Sequence, residues 1–268
     1  MKRGLFVLVL AALAGLALGQ GAMVRVAHLS PDAPPVDFCV RAAGATSFTG
    51  PVLASLGVTA GVAFQQVTRY LALDPAAYTV RLVAPNAADC ATALGGLPDT
   101  TLPALSAGAR VTVGAVGLLT ASGATGFRLT PFVEDNTAAP TGQARLRFVH
   151  ASPGTPNVDL GIPGMGTEFT TVFANAAYPS AATAINLAPV ANATVAARPA
   201  GVPSSDYPLV VRGVNLPAGS RTTLFAVGAL NDDQTPLGAL ACDDNAAPAG
   251  AFTPCATLPS RKIGRAHV

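Results

Sequence analysis

The sequence RFVHASPGTPNVD at residues 147–159 has an earlier counterpart, RVAHLSPDAPPVD, at residues 25–37. Seven positions carry the same residue in the same register: an arginine, a histidine, a serine, two prolines, a valine and an aspartate. The two stretches are offset by 122 residues. A motif of this length that recurs in one chain predicts two copies of one structural unit.

A second match extends the repeat. The residues AGAR at 107–110 and GAVG at 114–117 correspond to AGSR at 218–221 and FAVG at 225–228, with an offset of 111. The shorter offset places the missing residues in the loop that contains Cys90.

We therefore divide the chain into a first repeat, a short linker, a second repeat and a C-terminal segment, at residues 20–136, 137–143, 144–245 and 246–261. Each repeat has the ordinary size of a small domain and is expected to have its own core.

Each repeat alternates short β-branched runs with turn residues. This pattern is typical of an all-β fold, and we predict two tandem antiparallel β-sandwich domains, immunoglobulin-like or similar. Val24, Val26 and His28 are expected on the core face of one strand, because alternate residues of a strand share a face. The apolar runs at 110–119 and 221–230 predict central strands.

The two ends of the sequence are not expected to belong to either repeat. Residues 1–19 have a basic start, an apolar run and small residues before Gln20, which predicts a cleaved signal peptide. Residues 262–268 read as a translated sequencing adapter and are not expected to belong to the fold.

Without the basic residues of these two ends, the formal charge of +2 becomes −2, from 12 basic and 14 acidic residues. A chain with this balance and no basic run lacks the charge pattern of a nucleic-acid-binding protein, and no membrane span is expected in the mature chain.

The four cysteines predict two disulfides in an exported protein, for which three pairings are possible. Cys39 corresponds to Gly161 in the second repeat, and the loop with Cys90 has no cysteine there. Both cysteines are absent together from the second copy, so we pair Cys39 with Cys90 and Cys242 with Cys255.

Several motifs resemble one known family. They are His-x-Ser-Pro-Asp-Ala-Pro-x-Val-Asp, the Tyr-x-x-Leu element at 70–73, the sequence AAYTV at 76–80 and the Ala-Val-Gly strand. Together they resemble the exported bacterial family named domain of unknown function forty-three ninety-seven, over both units. The resemblance implies an envelope or extracellular location and no known activity. The second copy has Gly154-Thr155 in place of Asp-Ala, which argues against an essential role for Asp32.

Each copy of the motif contains polar residues that invite a chemical role: His28, Ser30, Pro31 and Asp37 in the first, and His150, Ser152, Pro153 and Asp159 in the second. A histidine and a carboxylate near a turn could form a base and its orienting partner. The alternative is that each histidine ends a strand and binds turn backbone, while strand parity turns Asp37 outward. No Gly-x-Ser-x-Gly elbow is present. We expect structural roles and no enzyme.

Three acidic clusters, at 134–136, 232–233 and 243–245, could supply oxygen ligands to calcium. Their spacing matches neither an EF-hand nor a nonapeptide calcium repeat, so we expect solvated linkers and no metal or cofactor. The sequence thus favours a non-enzymatic exported structural or interaction module whose partner is unknown, with an envelope protein or a cell-surface glycan as candidates. The alternatives are a glycan-binding or adhesion module that uses loops at one end of each sandwich and, less favoured, a hydrolase.

Overall fold

The computed structural model describes residues 21–230, 232–258 and 260. The predicted signal peptide and the predicted adapter-derived tail, residues 1–19 and 262–268, lie outside the described residues. Within the described part, no helix has the length and apolar character needed to cross a membrane.

The first unit consists of β1 (Ala22–His28), β2 (Asp37–Ala42), the short helix α1 (Val52–Ser55), β3 (Leu71–Leu73), β4 (Tyr78–Val83), β5 (Thr100–Thr101), β6 (Arg110–Val116) and β7 (Arg128–Glu134). Its strands form two sheets, in the orders β3-β1-β6-β7 and β2-β4-β5.

The second unit consists of β8 (Ala144–His150), β9 (Val158–Pro163), β10 (Phe169–Ala176), β11 (Ser180–Ala181), β12 (Ile185–Leu187), β13 (Val190–Pro199), β14 (Leu209–Leu216), β15 (Arg221–Val227), β16 (Gly238–Asp243) and β17 (Cys255–Leu258). One of its sheets has the order β10-β9-β13-β14. The other has the order β11-β8-β15-β16-β17, with β12 also paired to β8. The predicted all-β sandwich class is confirmed, and β6 and β15 are central strands as predicted.

The prediction of purely antiparallel sheets is wrong for one pair in each unit. Strand β1 runs parallel to β6, and β8 runs parallel to β15. Between the members of each pair the chain passes through the opposite sheet, so no hairpin sets the direction of return. Hydrophobic alternation predicts the faces of a strand but not the direction of its neighbour.

Each unit has an apolar cluster between its two sheets. In the first unit the cluster includes Val24, Val26 and Phe38, and in the second it includes Leu146, Phe148 and Leu160. A third cluster contains residues from both units, among them Ala27, Leu29, Val149 and Phe225. The expectation of separate cores is therefore incomplete, because the outer faces of two sheets also pack against each other.

The C-terminal segment adds a second link between the units. Thr253 donates from its backbone N–H to Val67 O at 2.9 Å, and Arg69 donates to Ala251 O at 2.7 Å. A few residues later, β17 pairs with β16 of the second unit. The segment at 246–258 thus contacts both units, so the predicted division into independent domains stays a prediction.

Both disulfides have the predicted pairing. Cys39 is bonded to Cys90, and Cys242 to Cys255, which lies directly opposite it on the neighbouring strand. The absence of both Cys39 and Cys90 counterparts from the second repeat was sufficient to choose between the three possible disulfide pairings.

Candidate functional site

The two motif histidines occupy equivalent buried positions at the ends of β1 and β8. His28 Nε2 lies 2.9 Å from Pro34 O, and His150 Nε2 lies 3.1 Å from Pro156 O. Both side chains are almost fully buried, at 0% and 1% exposure. A carbonyl oxygen can only accept, so Nε2 carries the hydrogen and each ring closes the turn between its strand and the next.

The histidines are neutral in the folded chain at neutral pH. Burial lowers the pKa of both rings, although their backbone hydrogen bonds oppose that shift. On the second ring, Nδ1 accepts weakly from the N–H of Ser152, at 3.4 Å. A protonated Nδ1 could not accept this hydrogen bond, so the contact adds to the burial that disfavours the charged form of His150.

The motif serines join the turn to the central strand of the same unit. Ser30 Oγ donates to Gly117 O, and Ser152 Oγ donates to Gly228 O, both at 2.7 Å. Both glycines have positive φ, and a Cβ on either would approach a carbonyl oxygen to 2.2 Å. In each unit, the serine of the His-Ser-Pro motif therefore binds the final glycine of the Ala-Val-Gly motif. Only glycine fits at that position.

Asp32, which has no counterpart in the second repeat, strengthens the first turn. Its carboxylate accepts from the backbone N–H groups of Leu119 and Thr120, at 2.9 and 3.0 Å. Burial alone would raise the pKa of Asp32, but these hydrogen bonds lower it overall. In the second repeat, Ser152 instead shares a hydrogen bond with Thr155 at 2.8 Å.

The motif aspartates bind backbone amides of later segments. Asp37 Oδ1 accepts from Leu53 N and Oδ2 from Ala54 N, both at 2.8 Å, at the start of α1. Asp159 accepts from Asn175 N at 2.9 Å and from Gly201 N at 3.1 Å.

Asp37 was predicted to lie on the outer face of its strand, but it is not exposed to solvent as an outer-face residue would be. It lies on the outer face of β2, as parity requires, but α1 covers it and leaves it 0% exposed. Each histidine and each aspartate thus has its own backbone partners, and these bonds stabilise turns and chain connections.

A cluster of charged side chains lies between the two units. Arg25 Nη1 is 2.7 Å from Asp244 Oδ1, and Arg25 Nη2 is 3.3 Å from Glu134 Oε1. Arg147 Nη1 is 3.5 Å from the same Glu134 oxygen, and Tyr70 Oη donates to Glu134 Oε2 at 2.5 Å. These residues make a buried polar network within the interface.

The expectation of solvated acidic linkers is wrong for Glu134 and Asp244. Their side chains are only 2% and 6% exposed. Burial would raise the pKa of Glu134, but the neighbouring Arg25 and Arg147 guanidinium groups lower it overall. Asp135, with 41% of its side chain exposed, and Asp243, also exposed, fit the prediction.

Sequence reasoning missed this interface. Arg25 and Arg147 belong to the repeated motif, but an arginine on the outer face of a strand is usually solvated. One signal was available: Thr112 and Thr223, like Glu134 and Asp244, recur at nearly the same offset, which is unusual for surface residues.

Comparison with known proteins gives one family match. Residues 22–161 match the model of the domain of unknown function (DUF4397). None of the curated proteins compared with the chain matches it. The match begins with β1 and ends within β9, so it includes the His-Ser-Pro turn of both repeats and covers more than half of the chain. The chain therefore belongs to the DUF4397 family.

Proposed function

We propose that this chain is an exported, non-enzymatic protein of the cell envelope or extracellular space that acts as a structural or interaction module. The observation that carries the proposal is the use of the motif residues. His28, Ser30 and Asp37, like their counterparts in the second repeat, bind backbone atoms of their own unit. Side chains engaged in this way stabilise a scaffold.

Two disulfides support an oxidising compartment, since such bonds persist outside the reducing cytosol. The predicted signal peptide supplies the route of export. We expect the exported chain to begin at Gln20 and to contain no free thiol. Intact-mass measurement of the secreted or periplasmic protein, with and without thiol alkylation under denaturing conditions, tests both statements. A chain that stays in the cytosol with reduced cysteines would refute the proposed location.

The proposal also predicts that no motif serine is a nucleophile. Ser30 and Ser152 donate their hydroxyl hydrogens to Gly117 O and Gly228 O. Incubation of the mature chain with a serine-reactive fluorophosphonate should leave both residues unlabelled. Labelling that disappears in Ser30→Ala or Ser152→Ala would instead favour the hydrolase alternative.

One observation favours a second candidate, a module that binds a cell-surface glycan. A cleft of about 240 Å³ lies between the first unit and the C-terminal segment, lined by Arg69, Tyr70, Arg110 and Asp243 among others. Guanidinium and carboxylate groups in a cleft suit the hydroxyl and acidic groups of a glycan. A glycan array tests this with the mature chain and an Arg69→Ala variant. Reproducible binding that is lost in the variant would replace the purely structural proposal.

A further inference from the structure

The two units contribute equivalent residues to the interface between them. Arg25 corresponds to Arg147, Thr112 to Thr223, and the β7 residue Glu134 to Asp244, which follows β16. Each unit thus contributes one arginine, one threonine and one acidic residue, all on the outer face of the sheet with a parallel strand pair. A chance contact between two unlike surfaces would not use the same three positions on both sides.

The contacts of these residues are reciprocal. Asp244 accepts from Thr223 of its own unit at 2.6 Å and from Arg25 of the other unit at 2.7 Å. Glu134 likewise accepts from Thr112 of its own unit and lies 3.5 Å from Arg147 of the other unit. Glu134 also lies 3.3 Å from Arg25 of its own unit, so each acidic residue is positioned by its own threonine and has an arginine of the opposite unit as an ion-pair partner.

The apolar part of the interface follows the same rule. The third apolar cluster, which contains residues from both units and is called the shared cluster below, includes three equivalent pairs. They are Ala27 and Val149, Leu29 and Ala151, and Val116 and Val227.

The two faces differ in the position of their phenylalanine. In the first unit Phe132 covers Gly114, where a Cβ would lie 2.7 Å from the ring. In the second unit the equivalent positions are occupied by Cys242 and Phe225, so the phenylalanine stands on the neighbouring strand. Each face therefore contributes one buried phenylalanine, on β7 in the first unit and on β15 in the second.

A surface whose residue i contacts residue j on the other side, and whose j contacts i, is an isologous surface, the kind found in two-fold homodimers. We propose that this face, defined by Arg25, Thr112 and Glu134 or by their counterparts, is a self-recognition surface of the repeat. The partner that it fits is the same face of a second copy of this chain. In the native chain the two faces bind each other. If substitutions make the two faces of one chain repel each other, each face is expected to bind the same face of a second chain.

This inference names a partner for the interaction module proposed above, and rests on that proposal only for its biological setting. The recognition itself can be measured in solution without reference to export or to glycans. Failure of the self-recognition would leave the proposed location and the absence of activity unchanged.

Charge inversion of one face in the full mature chain provides the test. Arg147→Glu with Asp244→Arg places like charges opposite Glu134 and Arg25, so the two faces of one chain repel each other. Two such chains are complementary, because Arg25 of one copy meets Glu134 of the other. The two inverted faces match in the same way, since the introduced glutamate of one copy meets the introduced arginine of the other. We expect the wild type to be a monomer and this variant to be a dimer of twice the mass in sedimentation equilibrium.

The matched control inverts both faces. Adding Arg25→Glu and Glu134→Arg restores complementarity within one chain, so the fourfold variant should return to the monomer mass. A twofold variant that has both disulfides and stays monomeric at concentrations up to about 100 μM, roughly a hundred times a micromolar Kd, would overturn the proposal. A fourfold variant that stays dimeric would do the same.

A second variant guards against misfolding of the first. Val149→Asp disrupts the apolar centre of the second face and leaves the first face intact, so it should also dimerise. Its equivalent on the other side, Ala27→Asp, is then added and should give monomers. Loss of folding in both kinds of variant would contradict the proposal as well, because a second copy is expected to replace the lost contacts.

Discussion

His28 and His150 are neutral in the folded chain because burial lowers their pKa below the ordinary value of 6.5. Each ring packs edge-on against an aromatic ring, Phe64 or Tyr178, at 6.4 and 5.8 Å between centroids. The same ring donates one hydrogen bond to a proline carbonyl. At the scale of the residue, the motif histidine therefore combines packing with the closure of a turn.

Replacement of either histidine by alanine should lower the free energy of unfolding by about 1 to 3 kcal/mol, because a buried carbonyl loses its donor and the ring loses its packing. His28→Gln keeps a donor and should cost less than His28→Ala. Chemical denaturation of the three variants gives the ranking. A stability unchanged in His28→Ala and His150→Ala would refute the structural role.

The lowered histidine pKa also predicts a pH dependence. The unfolded chain binds protons at pH values where the folded chain does not, so stability is constant above about pH 6.5 and falls as the pH drops below that value. Protonation of Glu134, whose pKa is lowered in the fold, adds a further loss below about pH 4.5.

Unfolding midpoints measured from pH 8 to pH 2 should show both steps. In the double variant His28→Gln, His150→Gln the slope between pH 7 and pH 5 should flatten. A slope of the wild-type size in that variant would assign the titration to other groups.

Among the elements, β2 and β9 show how the two repeats solve one packing problem differently. On the outer face of β2, Cys39 is fixed by its disulfide to Cys90. The equivalent residue of β9 is Gly161, which is covered by Phe169. That ring stacks on Tyr207 at 5.8 Å and lies beneath the Arg198 guanidinium at 4.3 Å. An aromatic stack thus replaces a covalent bond.

Gly161→Ala tests this arrangement. The added Cβ would lie 2.2 Å from Thr170 O and 2.6 Å from the Phe169 ring, so β10 must shift. We expect a loss of about 1 to 3 kcal/mol, as for other overpacked sites. Gly238→Ala is the control, because its nearest neighbour is 3.8 Å away and the substitution should be close to neutral. Equal stability of the two variants in urea denaturation would show that the stack does not constrain β9.

The elements could be predicted from the sequence better than their assembly. The disulfide pairing followed from Cys39 and Gly161, and the position of His28 followed from strand parity. The burial of Arg25 could not be predicted, because alternation separates two faces without showing whether the outer one meets water or another sheet. The bond from Ser30 to Gly117 was missed for a similar reason, since it joins residues far apart in the chain.

At the scale of the whole molecule, the buried polar network couples the units. Removal of one partner of a buried ion pair leaves the other charge without compensation and typically costs about 3 to 5 kcal/mol. Arg25→Ala should therefore be strongly destabilising. Arg212→Ala is the control, since this arginine of β14 is exposed and its replacement should cost little. Denaturant titration of both variants checks the difference, and similar losses would contradict the assigned importance of the interface.

The central claim is that the shared cluster, the polar network and the C-terminal segment make the two units unfold together. Differential scanning calorimetry of the mature, oxidised chain tests it most directly. We predict a single transition whose calorimetric enthalpy equals its van't Hoff enthalpy, as for one cooperative unit. Two resolved transitions, with Arg25→Ala shifting only one of them, would contradict it.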